Sequence, residues 1–324
     1  MTHTSSSRWA AGLSVLATAT LLASCTPSSE DSSEGQSSDQ SQQGFPATVT
    51  FAPEPPVTIE AQPERIVSLS PAVTEMLFAV GAGDQVVAAD EYSNYPAEAP
   101  LVEALSGFTP NVESILDYDP DLVVLMSADE SILSGLDSAG VSTLLIPAAE
   151  DLDSTYVQIQ QVGVATGHAD EADELVTEMK SDIDEAVASV SDEIKNQNLT
   201  YFHELGSDLF TVSENTYIGQ IYSLFGMTSI AEGGDAYPQL SNEAIIAANP
   251  DLIFLSDATA EDLTVEDVAA RPGWNTLDAV NNDRVLILDD DVASRWGPRV
   301  SQLVQDIAAH LNELAPATEE PTAA

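Results

Sequence analysis

The chain has 324 residues, and its 54 acidic side chains outnumber its eight lysines and arginines so heavily that the formal net charge is −46. A surface with this charge repels nucleic acid and anionic lipid headgroups, so neither is expected as a partner. The single cysteine excludes an internal disulfide. The acidic excess predicts adaptation to high salt, which screens the repulsion between carboxylates.

The N-terminus has the pattern of an export signal. A short charged segment precedes the apolar run "WAAGLSVLATATLLAS", which is too short for a comfortable membrane span. The run ends at "LASC", which resembles the bacterial lipobox. The resemblance implies a lipoprotein signal peptide over 1–25 and lipid attachment at Cys25. The alternative is a secreted protein in which this cysteine is incidental.

The next segment is expected to be a flexible tether. It begins "TPSSEDSSEGQSSDQSQQG", which has no aliphatic or aromatic side chain and cannot offset the entropy of ordering itself. We predict a disordered polar tether over 26–55 and a second disordered segment over 316–324. A lipid on Cys25 followed by such a tether would hold a domain at the outer face of the cell membrane.

Residues 56–153 are predicted to form an N-terminal α/β lobe. Short apolar runs alternate with helical segments, which is typical of a mostly parallel sheet with helices on its faces. Ser70 and Pro71 form a helix start after the first strand. The predicted strands cover 65–70, 86–90, 121–127 and 142–147.

A linking helix and a second lobe are predicted to follow. Over 154–197 the apolar residues recur every three or four positions, which indicates one long amphipathic helix. Residues 198–315 then return to the α/β pattern of the first lobe. Its predicted strands include 199–205, 209–213 and 284–289, and a closing helix covers 298–314.

One motif occurs in both predicted lobes. "VESILDYDPDLVVL" begins at position 112 and "NEAIIAANPDLIFL" at position 242, and each has a glutamate seven residues before Pro-Asp-Leu. The glutamates are Glu113 and Glu243. Each copy predicts a helix, a Pro-Asp turn that ends it, and a buried strand.

No motif of a common enzyme class is convincing. "GAGDQV" at 81–86 follows a helix and lacks the third glycine of a dinucleotide loop, and "HELGS" at 203–207 lacks the second histidine of a zinc protease. The four histidines are too dispersed for a three-histidine metal centre. We therefore predict no catalytic residue, no metal site and no resident cofactor. An enzyme would have to assemble its chemistry from scattered residues.

Aromatic and polar residues follow several predicted strands, where open α/β sheets bind ligands. Rings at the facing edges of two lobes would form a broad, largely apolar cleft for a flat or bulky ligand. The alternative is that each ring packs within its own lobe. The candidate ligand-binding residues are Tyr92, Phe108, Phe210, Tyr237, Arg295 and Trp296.

The segments "RIVSLSPAVTEMLFAVGAGDQVVAADEYSNYP", "NVESILDYDPDLVVL", "YPQLSNEAIIAANPDLIF" and "RPGWNTLDAVNNDRVLILDDDVASRWGPR" resemble the Fe/B12 periplasmic-binding family. These are the cobalamin- and ferric-siderophore-binding proteins of ABC importers, and the resemblance covers nearly all of 60–315. It implies a monomer with two Rossmann-like lobes joined by a single long backbone helix, the class III arrangement. It also implies that Glu113 and Glu243 dock onto arginines of the permease dimer. The alternative is that both acids only complement their helix dipoles.

The class of ligand is inferred from the resemblance and from the small number of cationic side chains. The resemblance places Tyr92, Phe108, Tyr237 and Phe210 at cleft positions of the cobalamin-binding branch. Because cations are few and Arg295 is the best basic candidate in the cleft, a neutral corrinoid or hydroxamate siderophore is favoured over an anionic catecholate complex. Haem is an alternative, with Tyr92, Tyr237 or His203 as axial ligand. A bare metal, an enzyme and an adhesive surface domain are further alternatives.

Overall fold

The structure is a computed structural model, and it describes residues 44–314. The predicted signal peptide with Cys25, the first part of the tether and the tail over 316–324 lie outside the described residues. Two parallel four-stranded sheets, each flanked by helices, and one antiparallel two-stranded ribbon form the described part. The predicted α/β fold class is therefore confirmed.

The ribbon shows that the predicted end of the tether at residue 55 is wrong. Strand β1 (Ala47–Val49) lies inside the predicted tether and pairs with β2 (Val57–Ile59). Val49 and Phe51 are buried in the main hydrophobic core. The alternating apolar residues after Gly44 supply the burial that the preceding polar run lacks.

The N-terminal lobe has the predicted parallel sheet, in the strand order β4-β3-β5-β6. Strands β3 and β5 are buried along their whole length, as expected for the central strands of a sheet covered on both faces. In chain order the elements are β3 (Ile66–Leu69), α1 (Pro71–Ala79), β4 (Val86–Ala89), α2 (Val112–Leu116), β5 (Leu122–Leu125), α3 (Glu130–Ser138) and β6 (Ser142–Leu145).

The linking segment consists of three helices, so the prediction of one helix over 154–197 is wrong. They are α4 (Leu152–Thr166), α5 (Ala169–Ser189) and α6 (Asp192–Lys195). Gly167 ends α4 with a left-handed backbone at φ 82°, which glycine adopts without a steric penalty. Helix α5 then packs back against α4, where Gln160 donates to Asp173 at 2.6 Å.

The C-terminal lobe contains the second parallel sheet, in the order β10-β9-β7-β8. The predicted strand over 209–213 is wrong, because Leu209 has a left-handed φ of 65° and only Phe210 forms an isolated bridge. The elements are β7 (Thr200–Glu204), α7 (Tyr217–Ser223), β8 (Thr228–Ser229), α8 (Asn242–Ala248), β9 (Leu252–Leu255), α9 (Ala258–Glu261), α10 (Val265–Ala269), α11 (Asp278–Asn281), β10 (Val285–Ile287), α12 (Asp290–Ser294) and α13 (Val300–Glu313).

The two sheets have the same topology, and this explains the sequence repeat. In each lobe the first and third strands in the chain are the central pair. The Pro-Asp motif precedes the third strand, and its aspartate holds the start of the first strand. Asp121 accepts from the backbone N–H groups of Glu64 and Arg65 at 2.8 and 3.1 Å, and Asp251 accepts from that of Thr200 at 2.8 Å.

The lobes share one hydrophobic core. This core runs from the ribbon through α1, α4 and α5 to α7 and α13, and each lobe has a smaller core on the other face of its sheet. Helix α5 packs along α13, so the linking segment contacts both lobes. Among residues 44–314, no helix combines the length and apolar character needed to cross a membrane.

Candidate functional site

A cavity of about 650 Å³ opens at the carboxyl ends of β3, β4 and β5. This is the edge at which open α/β sheets bind ligands. Its lining is mainly apolar and comes from the turns that follow the three strands and from the start of α3. The lining residues lie at 69–71, 90, 107–110, 126–129 and 132.

Tyr92 and Phe108 form the aromatic rim of the N-terminal lobe. Their rings meet edge to face with centroids 5.7 Å apart, and they are 51% and 84% exposed. Phe108 lines the cavity. The loop that carries it lies so close to β3 that a Cβ at Gly107 would overlap the carbonyl oxygen of Leu69. Glycine at this position therefore sets where the Phe108 ring stands.

A smaller cavity of about 170 Å³ adjoins the first and is lined by both lobes. Helix α1 and Met126 form its N-terminal side, and Ser294 and Trp296 form its C-terminal side. The Trp296 ring stacks on Tyr217 with centroids 4.6 Å apart. Its buried Nε1 donor has no hydrogen-bond partner among the described residues.

Phe210 and Tyr237 lie in the C-terminal lobe, on two neighbouring segments that follow β7 and β8. Phe210 bridges to Gln239, and the N–H of Thr211 donates to the carbonyl of Pro238 at 3.0 Å. Both aromatic side chains are exposed. The structure thus holds them together on one surface, outside the two cavities described above.

Arg295 lines neither cavity, so the structure does not support its prediction as the cleft cation. It is only 9% exposed and forms ion pairs with Glu75 at 3.3 Å and Asp291 at 2.6 Å. Its guanidinium also donates to Asn94 Oδ1 at 2.6 Å and to the carbonyl of Tyr92 at 2.9 Å. Every one of these acceptors competes with an anionic ligand for the same charge.

Arg299 and Arg271 are also paired. Arg299 binds both carboxylate oxygens of Glu75 at 2.5 and 2.8 Å, and these bonds raise the pKa of Arg299. Arg271 binds Glu204 in the same two-pronged way at 2.5 and 2.7 Å. None of the residues lining the two cavities, all within 44–314, is a lysine or an arginine.

Asp257, which follows β9, is a buried acid without a partner. It is 5% exposed, and neither carboxylate oxygen has a hydrogen bond among the described residues. Burial is the main cause that raises its pKa to about 6, and the neighbouring Glu204 adds to the effect. Ionised Asp257 therefore destabilises the folded protein.

We expect Asp257→Asn to stabilise the protein above pH 6. The folded pKa lies above the unfolded one, so the destabilisation is present at pH 7.5 and disappears as the pH falls towards 4. The gain in unfolding free energy at pH 7.5 should be about 1–2 kcal/mol. Urea denaturation across this pH range measures it, with the exposed Asp262→Asn as control. A gain that is equal at pH 4 and 7.5 would contradict the assignment.

His203 is unavailable as an axial ligand of haem, so that expectation is wrong. The side chain is 1% exposed on β7, and its Nδ1 lies 2.7 Å from the hydroxyl of Tyr222. Complete burial lowers its pKa to about 3, so the imidazole stays neutral at physiological pH. Elsewhere in 44–314, no group of three or more histidine, cysteine or acidic side chains is placed to hold a metal ion.

Glu113 and Glu243 occupy equivalent exposed positions in the two lobes. Each lies in the first turn of a short helix, α2 or α8, behind an N-cap residue whose side chain accepts a backbone N–H. Each of these helices precedes the third strand of its sheet. The geometry fits both interpretations of the pair, helix-dipole complement and contact with a symmetric partner.

Two kinds of site residue were not predicted from the sequence. Met126 lines both cavities and directly follows β5, so the rule that singled out Tyr92 could have found it. Glu75 had a weaker signal, since it is the only charged residue in the largely apolar helix α1. Its role depends on Arg295 and Arg299, more than two hundred residues away in the chain.

Three known proteins are similar to this chain along most of its length. An uncharacterized ABC transporter substrate-binding lipoprotein of Bacillus subtilis is 32% identical over 307 residues, 93% of this chain and 95% of the relative. A cobalamin-binding protein of Halobacterium salinarum is 29% identical and aligns with 79% of this chain and 71% of its own length. The crystal structure of the periplasmic vitamin B12 binding protein of Vibrio cholerae superposes with a TM-score of 0.63 and 27% identity, covering 78% and 97% of the two chains.

The family assignment rests on more than half of the chain. The profile described as "periplasmic binding protein" matches residues 66–292, which include both parallel sheets, the linking helices and most of the lining of both cavities. The matched stretch also contains both copies of the Pro-Asp motif. The chain therefore belongs to the periplasmic binding protein family.

Proposed function

We propose that this chain is the extracytoplasmic substrate-binding lipoprotein of an ABC importer and that it carries a corrinoid. The observation that supports this most is the cleft lining, which combines exposed aromatic rings with two cavities that lack a cationic side chain. Members of the family bind a small molecule and pass it to a permease. The Bacillus subtilis relative is named as an ABC transporter substrate-binding lipoprotein, and the Halobacterium salinarum relative as a cobalamin-binding protein.

Electrostatics favour a ligand without net negative charge. The larger cavity is lined by Asp90 and Asp129, and the three arginines described above are paired with acids of the protein. An anionic catecholate complex would meet carboxylates without a compensating cation, which costs affinity. A corrinoid has a flat apolar ring system edged with neutral amides. The ring system could stack against Tyr92 and Phe108.

A neutral hydroxamate siderophore and haem are the alternative cargoes. A hydroxamate complex fits the same electrostatic argument. Haem would use the exposed Tyr92 or Tyr237 as axial ligand. Its propionates, however, would need basic partners, and the cavity linings offer none among the described residues. We therefore rank corrinoid and hydroxamate siderophore above haem.

Delivery follows from the two equivalent acids. Glu113 and Glu243 would each pair with an arginine on one half of a symmetric permease dimer, so that a single monomer bridges both halves. Lipid attachment at Cys25 and a polar tether would keep the protein near that permease. In this proposal the chain performs no covalent chemistry, and turnover of a small substrate or binding of a protein surface would favour an enzyme or an adhesion domain instead.

A ligand panel tests the proposal. Cyanocobalamin, ferric hydroxamate and catecholate siderophores and haem are each titrated while tryptophan fluorescence is recorded. Trp296 lines the smaller cavity and should report binding, whereas Trp274 is buried in the C-terminal lobe. We expect saturable quenching by cobalamin or the hydroxamate complex. Quenching by haem alone, with a shift of its Soret band, would identify haem as the cargo in place of a corrinoid. No response to any chelate would overturn the proposal.

The aromatic rim makes a second expectation possible. Phe108→Ala should weaken binding of the ligand found in the panel by up to about tenfold, because a ring that stacks on a ligand contributes roughly 0.5–1.5 kcal/mol beyond its buried area. The matched control is Tyr118→Ala, which removes a partly exposed ring of the same lobe that does not line either cavity. Equal affinities for Phe108→Ala and the unmodified protein would place the ligand elsewhere.

A further inference from the structure

The loop that carries Tyr92 covers residues 91–95 and is called the Tyr92 loop. It is held from inside its own lobe by Asp90. Asp90 Oδ1 accepts from the N–H of Tyr92 at 3.3 Å and from the hydroxyl of Ser93 at 2.8 Å. Ser93 in turn lies 2.8 Å from the hydroxyl of Thr74, and Thr74 donates to Ser68. This buried chain anchors the start of the loop beneath the cavity. The Tyr92 carbonyl accepts from the N–H of Asn94 at 2.9 Å within the loop and also from a second partner.

That partner comes from the other lobe. Arg295 Nη2 donates to the Tyr92 carbonyl at 2.9 Å, and its Nη1 donates to Asn94 Oδ1 at 2.6 Å. Asn94 also donates across the lobe junction, from Nδ2 to Asp291 at 3.0 Å. The Tyr92 loop of the N-terminal lobe is therefore bonded on one side to side chains of the C-terminal lobe.

The guanidinium of Arg295 is itself fixed in orientation. Glu75 on α1 contacts it at 3.3 Å, and Arg299 holds Glu75 in a two-pronged ion pair. The Glu75 side chain is 1% exposed and that of Arg295 is 9% exposed, so water does not weaken these contacts as it would at the surface. Arg299 also stacks over the Tyr95 ring, 4.3 Å from its centroid. The cluster thus joins α1, the Tyr92 loop and the start of α13.

We infer that Arg295 is a positioning residue for ligand binding. It holds the Tyr92 ring in place while the two lobes keep the arrangement seen in this structure. The inference rests on the proposed function. Arg295 does not touch the cargo, but its bond to the Tyr92 carbonyl exists only while the lobes keep this arrangement. Separation of the lobes would release the Tyr92 loop and the Phe108 ring packed against it. A permease that parts the lobes would in this way lower the affinity of the site for its cargo.

One variant and a matched control measure this role. Arg295→Gln should weaken cargo binding about tenfold through loss of its charge-assisted hydrogen bonds. The variant should still fold, because Glu75 keeps Arg299 and Asp291 is partly exposed to water. Arg65→Gln is the control, since Arg65 also donates to backbone carbonyls, those of Tyr118 and Asp119, but wholly within the N-terminal lobe. It should leave affinity unchanged.

Double-mutant cycles separate positioning from a general loss of structure. In a Tyr92→Ala background, the effect of Arg295→Gln on the dissociation constant should be at least about fivefold smaller than in the unmodified protein. It should persist in full in a Phe210→Ala background, because Phe210 lies in the C-terminal lobe, where it pairs with Gln239 and not with the Tyr92 loop. Equal effects in both backgrounds, or no effect of Arg295→Gln on affinity, would overturn the inference.

Hydrogen exchange on the ligand-free protein gives a readout that does not depend on the identity of the cargo. The N–H groups of Ser93 and Asn94 donate within the Tyr92 loop at 3.1 and 2.9 Å. In Arg295→Gln these amides should exchange faster, and in Arg65→Gln they should not. Unchanged exchange would also overturn the inference. If exchange rises but the unmodified protein binds no chelate, the proposed function fails and the positioning contact stands.

Discussion

Replacing both Glu113 and Glu243 with alanine is expected to reduce uptake of the cargo strongly while leaving its affinity for the purified protein unchanged. The two acids are exposed, occupy equivalent places in the two lobes and lie outside both cavity linings. A charge-assisted pair broken on each lobe should lower the transport rate at least about tenfold. Uptake of labelled cargo into proteoliposomes that contain the permease measures the effect, and a binding titration measures affinity.

The control variant replaces two other exposed acids in first turns of helices, one in each lobe, Glu130 and Glu266. It changes the net charge by the same amount and removes the same kind of helix-dipole contact. We expect normal uptake from it. If both double variants reduce uptake equally, the acids act only through their helices or through overall charge. If the Glu113 and Glu243 variant instead loses affinity for the cargo, these residues belong to the ligand site.

Glu75→Ala is expected to destabilise the fold strongly. The substitution leaves Arg299 without its two-pronged partner and removes the contact that orients Arg295, both at the junction of the lobes. Breaking a buried ion pair by removing one partner costs about 3–5 kcal/mol. Urea denaturation should therefore show a large fall in the midpoint for Glu75→Ala.

The exposed Glu60→Ala, in the same lobe, controls for the removal of one negative charge and should change stability by less than about 0.5 kcal/mol. Glu75→Gln keeps the side-chain volume and one acceptor, so we expect a loss between those of the two alanine variants. A Glu75→Ala protein as stable as the Glu60→Ala protein would show that the cluster contributes no net stability.

The sheets were predictable because their signals are local. Strands β5 and β9 are continuous apolar runs and β3 is interrupted only by Ser68, as expected for strands buried on both faces. The Pro-Asp repeat marks the third strand of each lobe. The repeat also predicted that Glu113 and Glu243 would be equivalent. Both aspartates of the repeat turned out to hold the backbone at the start of the first strand, a contact that no local pattern reveals.

The fold predictions failed where a single backbone angle, or a contact with a residue far away in the chain, determines the local structure. The helical period continues on both sides of Gly167, yet its left-handed backbone turns α5 back onto α4. Leu209 has a φ of 65° inside a run that is otherwise typical of a strand. Strand β1 exists because the ribbon packs on α4, about a hundred residues further along the chain.

The site was predictable only in part, for the same reason. Position after a strand singled out the loops of Tyr92 and Phe108, and the structure brings these two rings together beside the cavity. It misled for Arg295, because a sequence with so few cations makes any loop arginine look available to a ligand. Glu75 and Asn94, which occupy its guanidinium, are 220 and 201 residues away in the chain.

The central claim is that one chelate is held between the two lobes, and hydrogen exchange with and without cyanocobalamin tests it most directly. We expect slower exchange on binding in both lobes, in segments 91–95, 106–110 and 126–129 of the first and in segments 205–211, 236–240 and 294–297 of the second. Protection confined to one lobe, or protection elsewhere with all of these segments unchanged, would contradict it.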